Sequence, residues 1–164
     1  MNFRVIISFA LIAMMLPLSA TAQVQSPTDA TQGSATTSPS VANEEEVKGF
    51  FANYLDRYVQ KDIDGFLSMF SSKAIQNQKE GIGEIRKIYA NFFEQSHELK
   101  YKMEEAKIEI YQNGVEVKAR YEIIQTLQRG GEKRIWRGNG GWFLIKEDGS
   151  LRILYLNYQH QKSL

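Results

Sequence analysis

Near Leu99 the apolar residues of this sequence stop recurring at three- and four-residue spacings and begin to alternate. Each pattern leaves one face to bury, so a chain that changes from one to the other must lay helices against a sheet. Upstream of the change, Val47, Phe50, Phe51, Tyr54, Leu55, Tyr58 and Val59 form one helical stripe. Asn43 is placed to cap that helix, with Glu46 at the capping-box position and Glu44 and Glu45 in the first turn, where the helix dipole favours them. Asp62 opens a short second helix that buries Ile63, Phe66, Leu67 and Phe70, with Asp62 and Asp64 as its capping residues. A third helix starts near Gly81 and carries Ile82, Ile85, Ile88, Tyr89, Phe92 and Phe93 on one face.

Downstream, Asn113-Gly114, Gly130-Gly131 and Asp148-Gly149 are hairpin signals, because these residues tolerate positive φ. A two-residue turn at Asn113-Gly114 pairs Ile110 with Val117, Ile108 with Ala119 and Ala106 with Tyr121, all on one face. The expected sheet is a four-stranded antiparallel meander over 100–112, 115–129, 132–146 and 150–159. Gly138-Asn139-Gly140-Gly141, inside the third strand, predicts a bulge or bend rather than a phosphate loop. The fold class is α+β, three N-terminal helices packed on a curved antiparallel sheet.

Residues 1–22 have the three parts of a secretory signal. Arg4 is the lone charge, Val5 to Leu16 is an apolar run, and Ala20-Thr21-Ala22 is a small-x-small cleavage site. The run is shorter than the roughly 20 residues that span a bilayer, and Pro17 breaks it, which disfavours an uncleaved anchor. Residues 23–43 hold eight Ser or Thr, two prolines and one charge, a composition that predicts a disordered linker; a spacer and a leftover leader read alike here. Residues 44–164 are then the folded domain, and the expected location is outside the cytoplasm, periplasmic or secreted.

Composition excludes several classes. The chain has no cysteine, which removes disulfides, a thiolate nucleophile, Cys-based zinc or iron–sulfur sites and a lipid-modified cysteine at the N-terminus. The net charge of +1 gives no global field for nucleic acid or an anionic membrane. Arg129, Lys133, Arg134 and Arg137 form the densest basic group, diluted by Glu132 at what reads as a charged hairpin tip. His97 and His160 are the only histidines and lie too far apart for ligand or triad spacing. No GxSxG elbow, P-loop or HExxH is present, so no cofactor, metal or nucleic acid is expected.

Residues 50–79, FFANYLDRYVQKDIDGFLSMFSSKAIQNQK, resemble the opening of nuclear transport factor 2-like (SnoaL-like) domains. In that family a first helix ends at a (G/K)-D-x-(D/E) step, a short helix follows, and an (M/L)-(F/Y)-x-x-x-A segment leads into the first strand. Residues 142–158, WFLIKEDGSLRILYLNY, resemble its last hairpin. The resemblance implies a cone, a bent sheet wrapped around helices, with an apolar pocket at the wide end and frequent dimers. It also implies a range of roles, from isomerases, cyclases and dehydratases to noncatalytic envelope domains, some of them attached to L,D-transpeptidases. An isomerase-type alignment on Lys61-Asp62 puts the oxyanion-donating tyrosine on Tyr54, the base on Gln78 and the strand aspartate near Gly141. A glutamine and a glycine cannot do that chemistry. Asp56 and Glu122 remain the carboxylates that could enter a cavity, while Glu104, Glu105 and Glu109 read as a solvated face.

Tyr54, Tyr58, Tyr89, Phe93, Tyr121, Trp136, Trp142 and Tyr155 are the candidate pocket lining, since buried Tyr and Trp need partners for their polar atoms. Both alternating sets in the last two strands are apolar. The set Phe143, Ile145, Leu154, Leu156 and Tyr158 is left as a second face, the candidate homodimer interface. The expected function is an exported, noncatalytic ligand-binding or protein-interaction module of the bacterial cell envelope. Its expected partners are a second copy, a small apolar ligand or an envelope protein, with no stable membrane span. The competing reading is a SnoaL-like small-molecule enzyme of isomerase, cyclase or dehydratase type.

Overall fold

The structure, a computed structural model, describes residues 40–161; the expected signal segment and most of the expected linker lie outside them. Asn43 caps the first helix, α1 (Glu44–Gln60), by the anticipated reciprocal pair: Glu46 N–H donates to Asn43 Oδ1 at 2.9 Å, and Asn43 N–H to Glu46 Oε2 at 2.8 Å. Packing is under way just before the cap. Val41 N–H donates to the Tyr111 carbonyl at 3.3 Å, and Ala42 is 4% exposed. Helix α1 stops at Lys61, which takes a left-handed φ of 59° and donates from Nζ to the carbonyls of Ser96 and His97.

Asp62 then caps α2 (Ile63–Leu67) by accepting from Gly65 N–H at 3.0 Å. Strand β1 (Phe70–Gln76) and the two-residue β2 (Glu80–Gly81) precede α3 (Ile82–Gln95). Four long strands complete the chain: β3 (Ser96–Ile110), β4 (Val115–Leu127), β5 (Lys133–Glu147) and β6 (Ser150–His160). The sheet is six-stranded, curved and unclosed, in the order β2-β1-β6-β5-β4-β3, and the helices pack on one face of it. All neighbours run antiparallel except β1 and β6. The expected α+β fold and its meander are present, with β1 and β2 added at one edge. Phe70, expected on the second helix, is the first residue of β1.

Three expectations need correction. The first concerns Asn113-Gly114. Neither residue has positive φ, and Ile110 pairs with Val115, so Tyr111–Gly114 is a four-residue loop rather than a two-residue turn. Gly114 is required by close approach instead: a Cβ there would meet the Phe143 ring and the Leu144 carbonyl. Ile108 therefore faces Val117, and a bulge between Glu104 and Lys107, with Glu105 at φ 53°, puts Met103 opposite Tyr121. The other two turns form as expected, with positive φ at Gly130, Gly131, Asp148 and Gly149.

Second, the glycines of β5 make no bulge in its pairing with β4, which runs unbroken from Val115↔Leu144 to Thr126↔Lys133. They make room. A Cβ on Gly138 would collide with the Gln159 carbonyl and the Tyr121 hydroxyl, and one on Gly140 with the Trp142 ring. Third, the irregularity lies on β6. Phe143 pairs with Tyr155 but Leu144 with Ile153, leaving Leu154 as an extra residue. One extra residue inverts the alternation beyond it. Ile153 faces the helices, and after the bulge Leu156 and Tyr158 do, while Tyr155 turns outward at 45% exposed.

Candidate functional site

The aromatic stripe of α1 meets the sheet in a network of edge-to-face rings. Phe51 lies 5.4 Å from Trp142, and Tyr58 4.8 Å from Tyr101, between ring centroids. Rings that meet edge-on do not close the space between them, and a cavity of about 140 Å³ remains between the helices and the inner face of the sheet. Helix α1 supplies Tyr54 and Tyr58, and α3 supplies Ile88, Tyr89 and Phe92. From the sheet come Tyr101 (β3), Tyr121 and Ile123 (β4), Trp136 and Trp142 (β5), and Leu156, Tyr158 and His160 (β6). No lining residue is an aspartate, glutamate, lysine or arginine.

The polar atoms around this space are organised at its edges. Tyr89 donates from its hydroxyl to Gln76 Oε1 at 3.0 Å, and Gln76 is fully buried. Trp136 Nε1 donates to Gln125 Oε1 at 3.3 Å; Gln125 Nε2 passes the chain to Ser96 Oγ at 2.9 Å, and Ser96 donates to the Phe92 carbonyl. Tyr121 shares a hydrogen bond of 2.8 Å with His160 Nδ1. Trp142 differs. Its Nε1 is buried and makes no hydrogen bond.

Burial sets the protonation states. It pushes the Tyr54 phenol up to about 12, a rise that the neighbouring polar groups of Trp142, Tyr101 and Tyr89 moderate. Burial likewise raises Tyr58, Tyr89 and Tyr101 well above the usual phenol range, and it lowers His160. At neutral pH the lining is therefore uncharged: phenols that donate, indoles that donate, and a neutral imidazole.

Six of the eight residues expected in the pocket line it: Tyr54, Tyr58, Tyr89, Tyr121, Trp136 and Trp142. Phe93 packs behind it, 5.2 Å from the Tyr58 ring, and Tyr155 stands on the opposite sheet face, its ring 6.2 Å from Phe143. Tyr101, Tyr158 and His160 line the cavity without having been expected there. Tyr101 shares the Leu99 and Met103 face of β3, which the bulge between Glu104 and Lys107 turns inward against the alternation read from Ile110, Ile108 and Ala106; Tyr158 and His160 were hidden by the β6 bulge.

The isomerase positions do not converge. Gln78 is an exposed turn residue at φ 66°, and Gly141 lies on the outer face between Lys118 and Asn157. Asp56 is exposed and accepts from Gln60, and Glu122 pairs outward with Arg137 at 2.6 Å, so neither reaches the cavity. His97 is exposed. Among the described residues no cluster of three His, Cys, Asp or Glu could hold a metal ion, and no helix is long and apolar enough to cross a membrane.

The candidate interface set is split by the same bulge. Phe143, Ile145 and Leu154 are half-buried on the outer face, whereas Leu156 and Tyr158 belong to the inner one. Tyr155 and Ile75 replace them outside, and Ile75, Tyr155 and Phe143 are consecutive partners across β1, β6 and β5.

No protein-family model matches this sequence, and no curated protein does. Solved structures do match. A candidate scytalone dehydratase from Novosphingobium aromaticivorans superposes with a TM-score of 0.66 at 10% identity, over 72% of this chain and 83% of that one. A nuclear transport factor 2-like superfamily protein from Salmonella enterica gives 0.64 at 16% identity, over 73% and 91%. A candidate dehydratase of the same family from Streptomyces avermitilis gives 0.64 at 8%, over 73% and 96%. With helices on a curved, unclosed sheet around an aromatic cavity, the chain has the nuclear transport factor 2-like fold.

Proposed function

We propose that this chain is an exported, noncatalytic binding module of the bacterial cell envelope that works as a homodimer and holds one small ligand in its cavity. The observation that carries the reading is the lining: uncharged and largely aromatic, with no carboxylate or ammonium to move protons. The three-part signal at residues 1–22 supports export. The apolar row Ile75–Tyr155–Phe143, with Leu154 beside it, supports a two-fold contact through the outer sheet face.

Native mass spectrometry on protein purified from an exporting host tests the reading. A dimer carrying a reproducible small adduct is the expected result; a bare monomer at high concentration sinks it. Replacing Phe143 and Tyr155 together by glutamate puts two charges per copy into the contact and should give monomers with an unchanged circular dichroism spectrum. Dimers that survive this change would move the interface elsewhere.

One observation favours a second reading, a SnoaL-like dehydratase-type enzyme: the hydrogen bond between Tyr121 and His160 Nδ1 at the cavity. A positioned imidazole contributes about 10²–10⁴-fold as a general base. If water loss from single-ring alcohols is found, His160→Gln should lower it by at least about a hundredfold. Turnover that depends on His160 would replace the module reading.

A further inference from the structure

The cavity is neutral throughout, but the space outside its mouth is not. At the deep end Tyr54 and Trp142 are fully buried; at the other end Ile88 is 37% exposed, Trp136 half-buried and His160 exposed. A second hollow, open and of about 310 Å³, shares Trp136 and His160 with the cavity and adds Arg134, Ile135, Arg137 and Gln161. The two spaces meet at Trp136 and His160. The described pairing of β6 with β5 ends at Gly138↔His160, while β5 runs on to Lys133, and this overhang lines the outer hollow. Trp136 pairs with Ile123 and Arg134 with Gln125, so strand alternation puts Arg134 on the cavity face, roughly 7 Å beyond Trp136.

Partners sort the basic group of this hairpin. Arg137 holds Glu122 at 2.6 Å on the outer sheet face, and Arg129 lies in the turn. Arg134 has only its neighbour Glu132, at 3.4 Å and with both side chains well in solvent, a pair that holds it weakly. Its guanidinium is available to an incoming anion. Size and charge then divide the two spaces between them. An apolar cavity of about 150 Å³ takes up a benzene ring, and this one is about 140 Å³. A charge would lose its water there and find no opposite charge in the lining, so it has to stay outside.

Resting on the reading of the cavity as a ligand site, we infer that its ligand is a single-ring carboxylic acid whose ring fills the cavity and whose carboxylate, on a spacer of a few carbons, meets Arg134 in the outer hollow. The ring lies among Tyr58, Tyr89, Tyr101 and Trp136, and the spacer passes over Trp136 and His160. The arginine accounts for the charge of the ligand, and the neutral lining for the absence of charge on its ring.

The test titrates the full-length protein with 4-phenylbutyrate, 4-phenylbutanol and benzoate, read by calorimetry. The phenylbutyrate should bind about fivefold more tightly than the alcohol, the upper end for an exposed ion pair, and added salt should shrink that advantage. Benzoate has no spacer to carry its charge out of the cavity and should bind most weakly. Arg134→Gln, a change at an exposed side chain, should bring phenylbutyrate down to the affinity of the alcohol and leave the alcohol unchanged. Arg129→Gln, in the turn, should change neither. Equal binding of phenylbutyrate and the alcohol to the wild type, or an advantage that survives Arg134→Gln, overturns the inference and leaves the ligand site standing. So does an advantage lost equally in Arg129→Gln, which would mean a general pull by the charge of the hairpin. Benzoate that matches phenylbutyrate puts the charge inside and overturns it as well. No binding by any probe removes both the inference and the cavity's role.

Discussion

Raising the pH from about 10 to about 12 should unfold this domain in one cooperative step. The phenol of Tyr54 has an ordinary value of 10.0 and is pushed up to about 12 by burial. Within that window only the unfolded chain releases the proton, so stability is fully present below the lower value and is lost as pH rises through the upper one. At about 1.4 kcal/mol per unit, Tyr54 alone withdraws about 2.7 kcal/mol. Tyr58, Tyr89 and Tyr101 are raised as well, again by burial first. Each therefore withdraws stability in the same direction as pH rises past the ordinary phenol range. Circular dichroism and tyrosinate absorbance, followed together, should show a single coincident transition. Tyr58→Phe removes one ionisation while keeping its ring and should move the midpoint to higher pH. Tyrosines that ionise one by one with the fold intact would mean that water reaches their hydroxyls, and the uncharged lining would have to be given up.

The same desolvation separates the two functional readings. A phenol held above its ordinary range cannot serve as a base at neutral pH, so in either reading the buried tyrosines can act only as hydrogen-bond donors. The base available in the lining is His160, lowered by its own burial and hydrogen-bonded to Tyr121. A chemistry that needs a carboxylate has none to use there, because Asp56 and Glu122 face solvent.

The helices were legible because their signals are local: an apolar stripe, a cap three residues from its partner, a stop at Lys61. The Asn113-Gly114 register was not, since a four-residue loop shifts the pairing by two residues. An even shift keeps every side chain on its face, so the inward set Val117, Ala119 and Tyr121 was right although its partners were wrong. The β6 bulge is an odd shift and did more damage. It exchanged Tyr155 for Leu156, Tyr158 and His160, which is why the pocket and interface sets each contained residues of the other. Strand β1 escaped the alternation reading because Ser71, Lys73 and Gln76 interrupt it with polar residues, and because its parallel pairing with β6 leaves no turn signal. The buried Gln76 and Gln125 are polar residues in a core, and sequence periodicity counts such positions as surface.

Replacing Phe66 by alanine should cost about 3–5 kcal/mol, the range for a fully buried phenylalanine. Phe66 is completely buried on α2, and its ring meets those of Tyr54 at 5.0 Å, Tyr58 at 5.6 Å, Phe70 at 5.3 Å, Tyr89 at 4.7 Å and Phe93 at 5.8 Å. Three of those neighbours, Tyr54, Tyr58 and Tyr89, line the cavity on their other side, so the void left by Phe66 lies directly behind its wall. A wall with nothing behind it can yield, and the enlarged space should accept a two-ring ligand that the wild type refuses. At a hundred times its Kd such a ligand returns about 2.7 kcal/mol, most of what the substitution removes. Urea unfolding of Phe66→Ala with and without naphthalene measures both effects. The expected pattern is a lowered midpoint that naphthalene raises in the variant and leaves unmoved in the wild type. Equal stabilisation of both proteins would show that Phe66 does not set the depth of the cavity. A loss well under 3 kcal/mol would show that the rings around it collapse inward, and the aromatic network would then be a soft packing rather than the frame that keeps the cavity open.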